Sequence, residues 1–397
     1  MRLLYVIDSL APGGAETSLV EMAPGLVEMG IDLHVLALQP KLDLGTALKS
    51  QGATVYTGSR ELGRIGNVYM VADAVRRIEP HLVHTTLYEA DLAGRIAARL
   101  KHTRVSTSVV GDSYGAARRK EIGSERLRLA LAADRLTARF ATRIHAVSES
   151  VAHSITRDLR FPQSRIDVIP RGRNPHKYRY RPVGLGRRTR NSLAIPVQAP
   201  VILAVGRLEP AKGFEVLMRS LTGVAARFSD LVVLLAGKDG QSSRELKQSA
   251  SHINADIRFL GHRNDVNALL SAADVLCFPS HREGSPGTVI EAMAAGCHVV
   301  ASDIEPNQEV LGRGPASGGR TFRTGDHQHL SSILITALDD PGGSLRMAQM
   351  ARARFEEFYT IDAIARRMYA FFDSTATGRL GTPVGRGHAP HLDTAAP

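Results

Sequence analysis

Twice along this chain, short runs rich in Val, Ile and Leu alternate with longer amphipathic stretches, and this rhythm restricts the possible folds more than any other feature. The first series is LLYVI, DLHVLAL, HLVHTT, RVSTSVV and RIHAVS; the second is VILAVG, LVVLLAG, DIRFLG, DVLCFPS and HVVASD. Near-continuous apolar runs separated by helical segments predict parallel strands covered by helices on both faces. Between the two series, from Arg179 to Pro200, the chain turns basic, gains Pro and Gly and loses its apolar period. The pattern predicts an α/β protein with two successive open parallel-sheet domains and a cleft between them: residues 1–178, a linker at 179–200, and residues 201–355.

Further on, Ile361, Ile364, Met368, Tyr369 and Phe372 recur at helical spacing behind Thr360, a good N-cap residue. They predict a helix over about 360–374. Beyond Ser374 the chain is Pro-, Gly- and Ala-rich without period, so 375–397 reads as a disordered tail. No run of eighteen apolar residues occurs, and the opening MRLLYVIDSL is interrupted by Asp8 and lacks a cleavage-site pattern. Neither a membrane span nor a signal peptide is expected. Cys277 and Cys297 sit in or beside apolar runs and are expected to stay reduced, which suits a cytoplasmic protein. The formal charge of +11 favours an anionic partner. Nucleic acid is disfavoured, because only 5% of residues are aromatic and tryptophan is absent.

In an open parallel sheet, ligands bind beyond the carboxyl ends of the strands, and three strand-to-helix loops have suitable chemistry. The first is SLAPGGAET, where Gly13 and Gly14 allow close backbone approach before a helix that begins around Ala15. The second is AVGRLEPAKGF, where Gly206, Arg207, Lys212 and Gly213 put two cations and two glycines at the mouth of a helix. Such a loop suits a diphosphate, with the Arg forking across two oxygens and the Lys acting as a movable charge. A solvated basic loop is the alternative.

The third loop, HREGSPG, leads into a helix TVIEAMAA that Gly296 stops, with Pro286 in its first turn. Glu283 and Glu291 lie eight positions apart on either side of that turn. Because side chains tilt toward a helix's N-terminus, both carboxylates can reach a ligand seated on the helix end. A metal site is disfavoured, since the chain has no Asp-x-Asp. A glycosidase pair and a plain surface glutamate stay open. So does a sugar nucleotide, its hydroxyls donating to the two carboxylates while the helix end and the Arg/Lys pair hold its phosphates.

Taken together, GGAE at Gly13–Glu16, GRLEPAKG at Gly206–Gly213 and EGSPGTVIEAMAAG followed by VVASD resemble the family-4 glycosyltransferases of the two-domain GT-B fold. AVSES at 146–150 and VIPRG at 168–172 are weaker matches, and the resemblance spans roughly residues 1 to 374. It implies retaining, metal-independent transfer of a hexose from a UDP- or GDP-linked donor, with no cofactor. By resemblance, Arg207 and Lys212 contact the diphosphate and assist its departure, Glu283 contacts the transferred sugar, and Glu291 accepts from the ribose. Gly206 and backbone N–H groups across Ser285, Pro286, Gly287, Thr288 and Val289 meet phosphate or sugar. The Gly13–Gly14 loop closes over the donor, and the last helix crosses back onto the N-terminal domain.

The chain also departs from the pattern. Val110 stands where many relatives carry histidine, with Asp112 and Tyr114 just beyond as acceptor-side candidates. Arg171-Gly172 replaces the familiar Asn-Gly, and His298, expected at a strand edge, replaces a common proline. The segment 115–143 carries eight Arg/Lys against three acids. On a helical wheel Arg128, Arg135, Arg139 and Arg143 form a stripe, with Leu129, Leu136 and Phe140 on one side and Leu127 and Leu131 on the other. This predicts either a core-packing helix with a solvated face or a peripheral contact with anionic lipid at the inner face of the plasma membrane. The expectation as a whole is a glycosyltransferase serving a glycan or lipid-linked acceptor, in bacterial surface polysaccharide or glycolipid synthesis. A sugar-nucleotide epimerase or hydrolase and a non-catalytic binding subunit of the same fold are the alternatives.

Overall fold

A computed structural model describes residues 1–58, 63–112, 114–115 and 123–379. The chain divides into two units, Met1–Gly172 together with the segment from Ile361 onward, and Arg173–Thr360.

In the first unit, seven strands form one parallel sheet: β1 (Arg2–Ile7), β2 (Asp32–Ala37), β3 (Thr54–Thr57), β4 (Leu82–Thr86), β5 (Val105–Val109), β6 (Arg143–Ala146) and β7 (Ile166–Val168). Their order is β3-β2-β1-β4-β5-β6-β7, so the direction of winding reverses between β1 and β4. Alternation along β1 assigns its faces. Leu3, Tyr5 and Ile7 pack with helices Gly14–Glu28 and Ile361–Thr377, while Leu4 and Val6 pack with helices Gly63–Ile78 and Tyr88–Leu100.

The second unit repeats the plan with six strands: β8 (Val201–Val205), β9 (Val232–Ala236), β10 (Asp256–Gly261), β11 (Val275–Phe278), β12 (His298–Ser302) and β13 (Gly319–Phe322). The order is β10-β9-β8-β11-β12-β13, with the switch between β8 and β11. In β8, Val201 and Leu203 face one core and Ile202 and Ala204 the other. Both units are therefore doubly wound parallel sheets, and in each the carboxyl ends of the strands at the switch point form the natural ligand edge. No helix of the described residues is long and apolar enough to cross a membrane. Cys277 and Cys297 are buried and unbridged.

Several expectations need correcting. The boundary falls at Gly172/Arg173 rather than after residue 178. Residues 179–200 are part of the second unit and contain a helix, Leu185–Ser192. This segment reads as a linker because it is so basic, but among its five arginines Arg190 is tied down: it donates to the Ala272, Val197 and Ala199 carbonyls and to Asp274. The last helix runs to Thr377, past residue 374, and Thr375 in it is fully buried. Residues 380–397 of the expected tail lie outside the described residues.

Arg143 does not extend the helical stripe, because the basic helix ends at Ala138 and Arg143 begins β6. There it is buried and forms a two-pronged ion pair with Asp167. His298 begins β12, a strand flanked by β11 and β13, and is buried, with no hydrogen-bond partner for either ring nitrogen among the described residues. Burial lowers its pKa to about 4.

Candidate functional site

In the second unit, the loops after β8 and β11, the two strands at the switch point, are joined at several places. Gly213 has φ +64, in the left-handed region, and a Cβ there would lie 2.0 Å from the Pro279 carbonyl oxygen. The His281 N–H donates to the Ala211 carbonyl at 2.9 Å, and the His281 ring pairs with Glu215 in the first turn of helix Phe214–Arg227 at 2.5 Å. That pairing raises the His281 pKa. Glycine is needed at 237 as well, since a Cβ would lie 1.8 Å from the Gly206 carbonyl.

This stitching brings two of the candidate residues together. Lys212 Nζ lies 2.6 Å from Glu283 Oε1 and 5.6 Å from the centre of the Phe278 ring. Arg207, by contrast, is exposed and has no ion-pair partner among the described residues.

The helix after β11 runs from Gly287 to Ala295 and ends at Gly296, whose φ of +75 is the expected left-handed stop. Pro286 is its N-cap residue rather than a member of its first turn, and no side chain caps the helix. The array of N–H donors is therefore smaller than expected. Pro286 has no N–H, and the Gly287 N–H is bonded to the Ser285 carbonyl. Thr288 and Val289 are left to direct donors outward from a positively polarised helix end. Beside them Ser285 is buried, with a hydroxyl that has no partner among the described residues. A buried hydroxyl beside a helix N-terminus can donate to or accept from a ligand seated there.

Glu291 lies one turn into this helix, and Arg173 Nε donates to its Oε1 at 2.8 Å. The guanidinium also lies across Gly287, where a Cβ would be 2.1 Å from Nη2. Arg173 was not singled out in the sequence. The only available sign was a second arginine after VIPRG, and its partner is 118 positions away. The helix N-terminus is thus flanked by two cation–carboxylate pairs, Lys212–Glu283 and Arg173–Glu291.

In the first unit, Gly13 is the N-cap residue of helix Gly14–Glu28. The Glu16 carboxylate folds over Gly13, where a Cβ would be 2.4 Å from Oε2, and Arg171 covers Gly14 in the same way, with Nη1 at 2.5 Å. Burial raises the Glu16 pKa, and Arg171 opposes that rise.

Asp112 is 3.8 Å from the exposed Arg157. The Tyr114 hydroxyl donates to Asp134, which pairs with the fully buried Arg95; Arg95 also faces Asp91. Burial pushes the Asp91 pKa up to about 8, with Arg95 opposing. Tyr114 therefore belongs to a buried network and does not present a free hydroxyl.

The basic helix, Ser124–Ala138, buries Leu127 but leaves Leu129 73% and Leu136 55% exposed beside the exposed Arg126, Arg128 and Arg139. Residues 116–122 of the basic segment lie outside the described residues.

Comparison with known proteins agrees with the two-unit layout. The model described as Glycosyltransferase Family 4 matches residues 12–177, and the one described as Glycosyl transferases group 1 matches residues 187–354. The chain belongs to glycosyltransferase family 4.

Among curated relatives of this family-4 chain is a phosphatidyl-myo-inositol mannosyltransferase of Mycolicibacterium smegmatis, 37% identical over 162 residues, which are 40% of each protein. Another is a GDP-mannose-dependent monoacylated alpha-(1-6)-phosphatidylinositol monomannoside mannosyltransferase of Corynebacterium glutamicum. It is 29% identical over 189 residues, 45% of this chain and 49% of that one. The matched region spans less than half the length of either relative. Among solved structures, HepE of Anabaena in complex with UDP superposes with a TM-score of 0.81 at 21% identity, covering 94% of this chain and all of the other. The lipopolysaccharide glycosyltransferase WaaG superposes at 0.71 with 16% identity, covering 94% and 99%. These likenesses establish the GT-B fold.

Proposed function

We propose that this chain is a hexosyltransferase that takes a sugar from a UDP- or GDP-linked donor and delivers it, with retention at the anomeric carbon, to a hydroxyl of a glycolipid acceptor. The observation that carries the reading is the uncapped helix end at Gly287, with the unpartnered Ser285 hydroxyl beside it and a cation–carboxylate pair on each side. Helix-end N–H groups and Lys212 are donors without acceptor capacity, suited to a diphosphate, and Arg207 adds a mobile second cation. Glu283 and Glu291 are acceptors, suited to sugar and ribose hydroxyls. Each carboxylate is held in place by its cation, so a donor arrives at oriented groups rather than having to order them.

In this mechanism the positive charge gathered on the diphosphate stabilises the departing nucleotide. Departure runs ahead of attack, the acceptor hydroxyl arrives on the same face, and a phosphate oxygen of the leaving group takes its proton. No side chain then has to be a strong base. The acceptor class draws support from the phosphatidylinositol-directed names of the relatives. Further support comes from the basic helix, whose exposed Leu129 and Leu136 suit contact with an anionic membrane at its cytoplasmic face.

The test is to incubate the full-length protein with a panel of UDP- and GDP-hexoses, with and without glycolipid vesicles, following nucleotide release and the configuration of the product by NMR. One donor should be hydrolysed slowly alone and consumed faster with acceptor, with retained configuration. Failure of every nucleotide sugar to bind would end the proposal. A new nucleotide sugar formed without nucleotide release would identify an epimerase instead.

A further inference from the structure

The first unit contains a pocket of about 50 Å³ at the carboxyl ends of β1, β4, β5 and β6. None of the residues assigned above to donor or acceptor lines it. Its walls are mostly apolar and include Leu19, Met22, Val110, Val147, Ile364 and Met368.

The uncharged polar side chains in the wall are almost fully occupied with one another, and their protons can be assigned in sequence; the wall also contains the cationic Arg171. The Ile169 carbonyl can only accept, so His145 Nε2, 2.7 Å away, must carry a proton. In the neutral ring, Nδ1 then accepts from the Ser108 hydroxyl at 2.7 Å. Ser108 has thereby used its only proton, so its oxygen accepts from His84 Nε2 at 2.8 Å, and His84 Nδ1 accepts from Ser106 at 2.8 Å. Ser18 is likewise used, donating to the Gly14 carbonyl at 2.7 Å.

The exception is the pair Tyr5 and Thr86. Their hydroxyls share a single hydrogen bond of 2.8 Å, and two hydroxyls carry two protons. One of these two hydroxyl protons is therefore unused among the described residues.

A mostly apolar wall with one spare hydroxyl donor, and with Arg171 as its one charged residue, suits a compact apolar body that carries an acceptor oxygen. The space admits about three to five water-sized atoms by the usual volume per buried water. An acetyl group has three non-hydrogen atoms, its methyl suits the Leu, Met and Val wall, and its carbonyl accepts one bond without bringing a donor.

We propose that this pocket receives the acetyl group of an N-acetylated sugar in the acceptor, with the Tyr5/Thr86 pair donating to the acetyl carbonyl. The proposal rests on the glycosyltransferase reading and narrows its acceptor to compounds bearing an acetamido sugar.

The test uses saturation-transfer NMR and competition binding on the full-length protein. Probes are the methyl glycosides of N-acetylglucosamine, N-acetylgalactosamine and N-acetylmannosamine, each set against its non-acetylated parent sugar. At least one acetylated probe should bind about tenfold tighter than its parent, with the strongest saturation on the acetyl methyl. Val110→Phe, which fills the space, should abolish the preference. The double variant Tyr5→Phe/Thr86→Val, which keeps the shape and removes both hydroxyls, should reduce it severalfold. Thermal stabilisation by UDP- or GDP-sugars, whose proposed contacts lie in the second unit, should be unchanged in both variants and reports that they are folded. Equal binding of acetylated and parent probes, or an acetyl preference that survives Val110→Phe, overturns the pocket assignment even if nucleotide sugars bind. An acetyl preference without nucleotide-sugar binding would support the pocket and remove the glycosyltransferase reading.

Discussion

Lys212 Nζ and Glu283 Oε1 stand 2.6 Å apart, joining two strand-to-helix loops whose residues are 71 positions apart in the chain. The pair is partly buried, with side-chain exposures of 25% and 13%, so each group holds the other where a diphosphate sugar would meet both. Removing the cation should therefore cost catalysis far more than stability. Lys212→Ala is expected to lower kcat by about 100- to 1,000-fold, the usual loss for a group that stabilises developing charge, and Glu283→Gln by roughly 10- to 100-fold. Steady-state kinetics on both variants and the double variant should show losses that do not add, because each single change already disorders the partner.

The ion pair between Arg143 and Asp167 has no evident catalytic part and should behave in the opposite way. Both side chains are almost wholly buried, and the pair spans β6 and β7. Asp167→Asn leaves an uncompensated guanidinium inside the sheet and should cost about 3–5 kcal/mol by urea denaturation. Replacing both by leucine should recover most of that loss.

Three buried histidines contribute a loss of stability in acid, opposed by Asp8 and Asp91, whose carboxyls burial raises to about 6 and about 8. The pKa of His145 is lowered to about 4 and that of His298 to about 4, and His84 is lowered well below its ordinary value, in each case chiefly by burial. Above pH 6.5 both the folded and unfolded forms of these groups are neutral, and their burial costs nothing that depends on pH. As pH falls from 6.5 toward 4 only the unfolded chain takes up these protons, so the histidine contribution falls by up to about 1.4 kcal/mol per pH unit for each group. His298→Leu also removes two buried ring nitrogens that have no partners among the described residues, so it should raise the urea midpoint more at pH 5 than at pH 7.5.

Much of the fold was legible because long apolar runs leave few choices. LLYVI, VILAV and LVVLLA are buried on both faces of central strands, and no other element accommodates them. The edge strand β3 and the short strands β7 and β13 were missed, since three or four residues of mixed polarity carry no period of their own. The helical wheel failed at Arg143 because it was extended past Ala138, where the chain had already turned into β6. At the site, Lys212, Glu283 and Glu291 could be picked out because glycines and a helix start frame them. Arg173 could not, because what identifies it is a partner 118 residues away and the missing side chain of Gly287.

The basic helix makes a separate prediction. With Leu129 and Leu136 exposed beside Arg126, Arg128 and Arg139, the protein should sediment with phosphatidylglycerol vesicles and not with phosphatidylcholine vesicles. The binding should weaken as salt screens the arginines. Leu129→Ser/Leu136→Ser should release it by about tenfold or more while leaving donor hydrolysis in solution unchanged. Equal binding of the double variant would mean that these leucines do not face lipid.

The central claim is that a nucleoside diphosphate sits on the helix end at Gly287 and is gripped by Glu291, with Arg173 holding that carboxylate. Isothermal titration of UDP and of GDP into the full-length protein, its Glu291→Ala variant and its Gly287→Ala variant tests this most directly. The account predicts that one of the two nucleotides binds the native protein and that Glu291→Ala, which stays folded though less stable because the mostly buried Arg173 loses its carboxylate, weakens it at least about tenfold. Gly287→Ala, whose added methyl would lie 2.1 Å from the Arg173 guanidinium, should weaken it to a similar degree. Equal affinity for all three proteins, or binding of neither nucleotide, would contradict it.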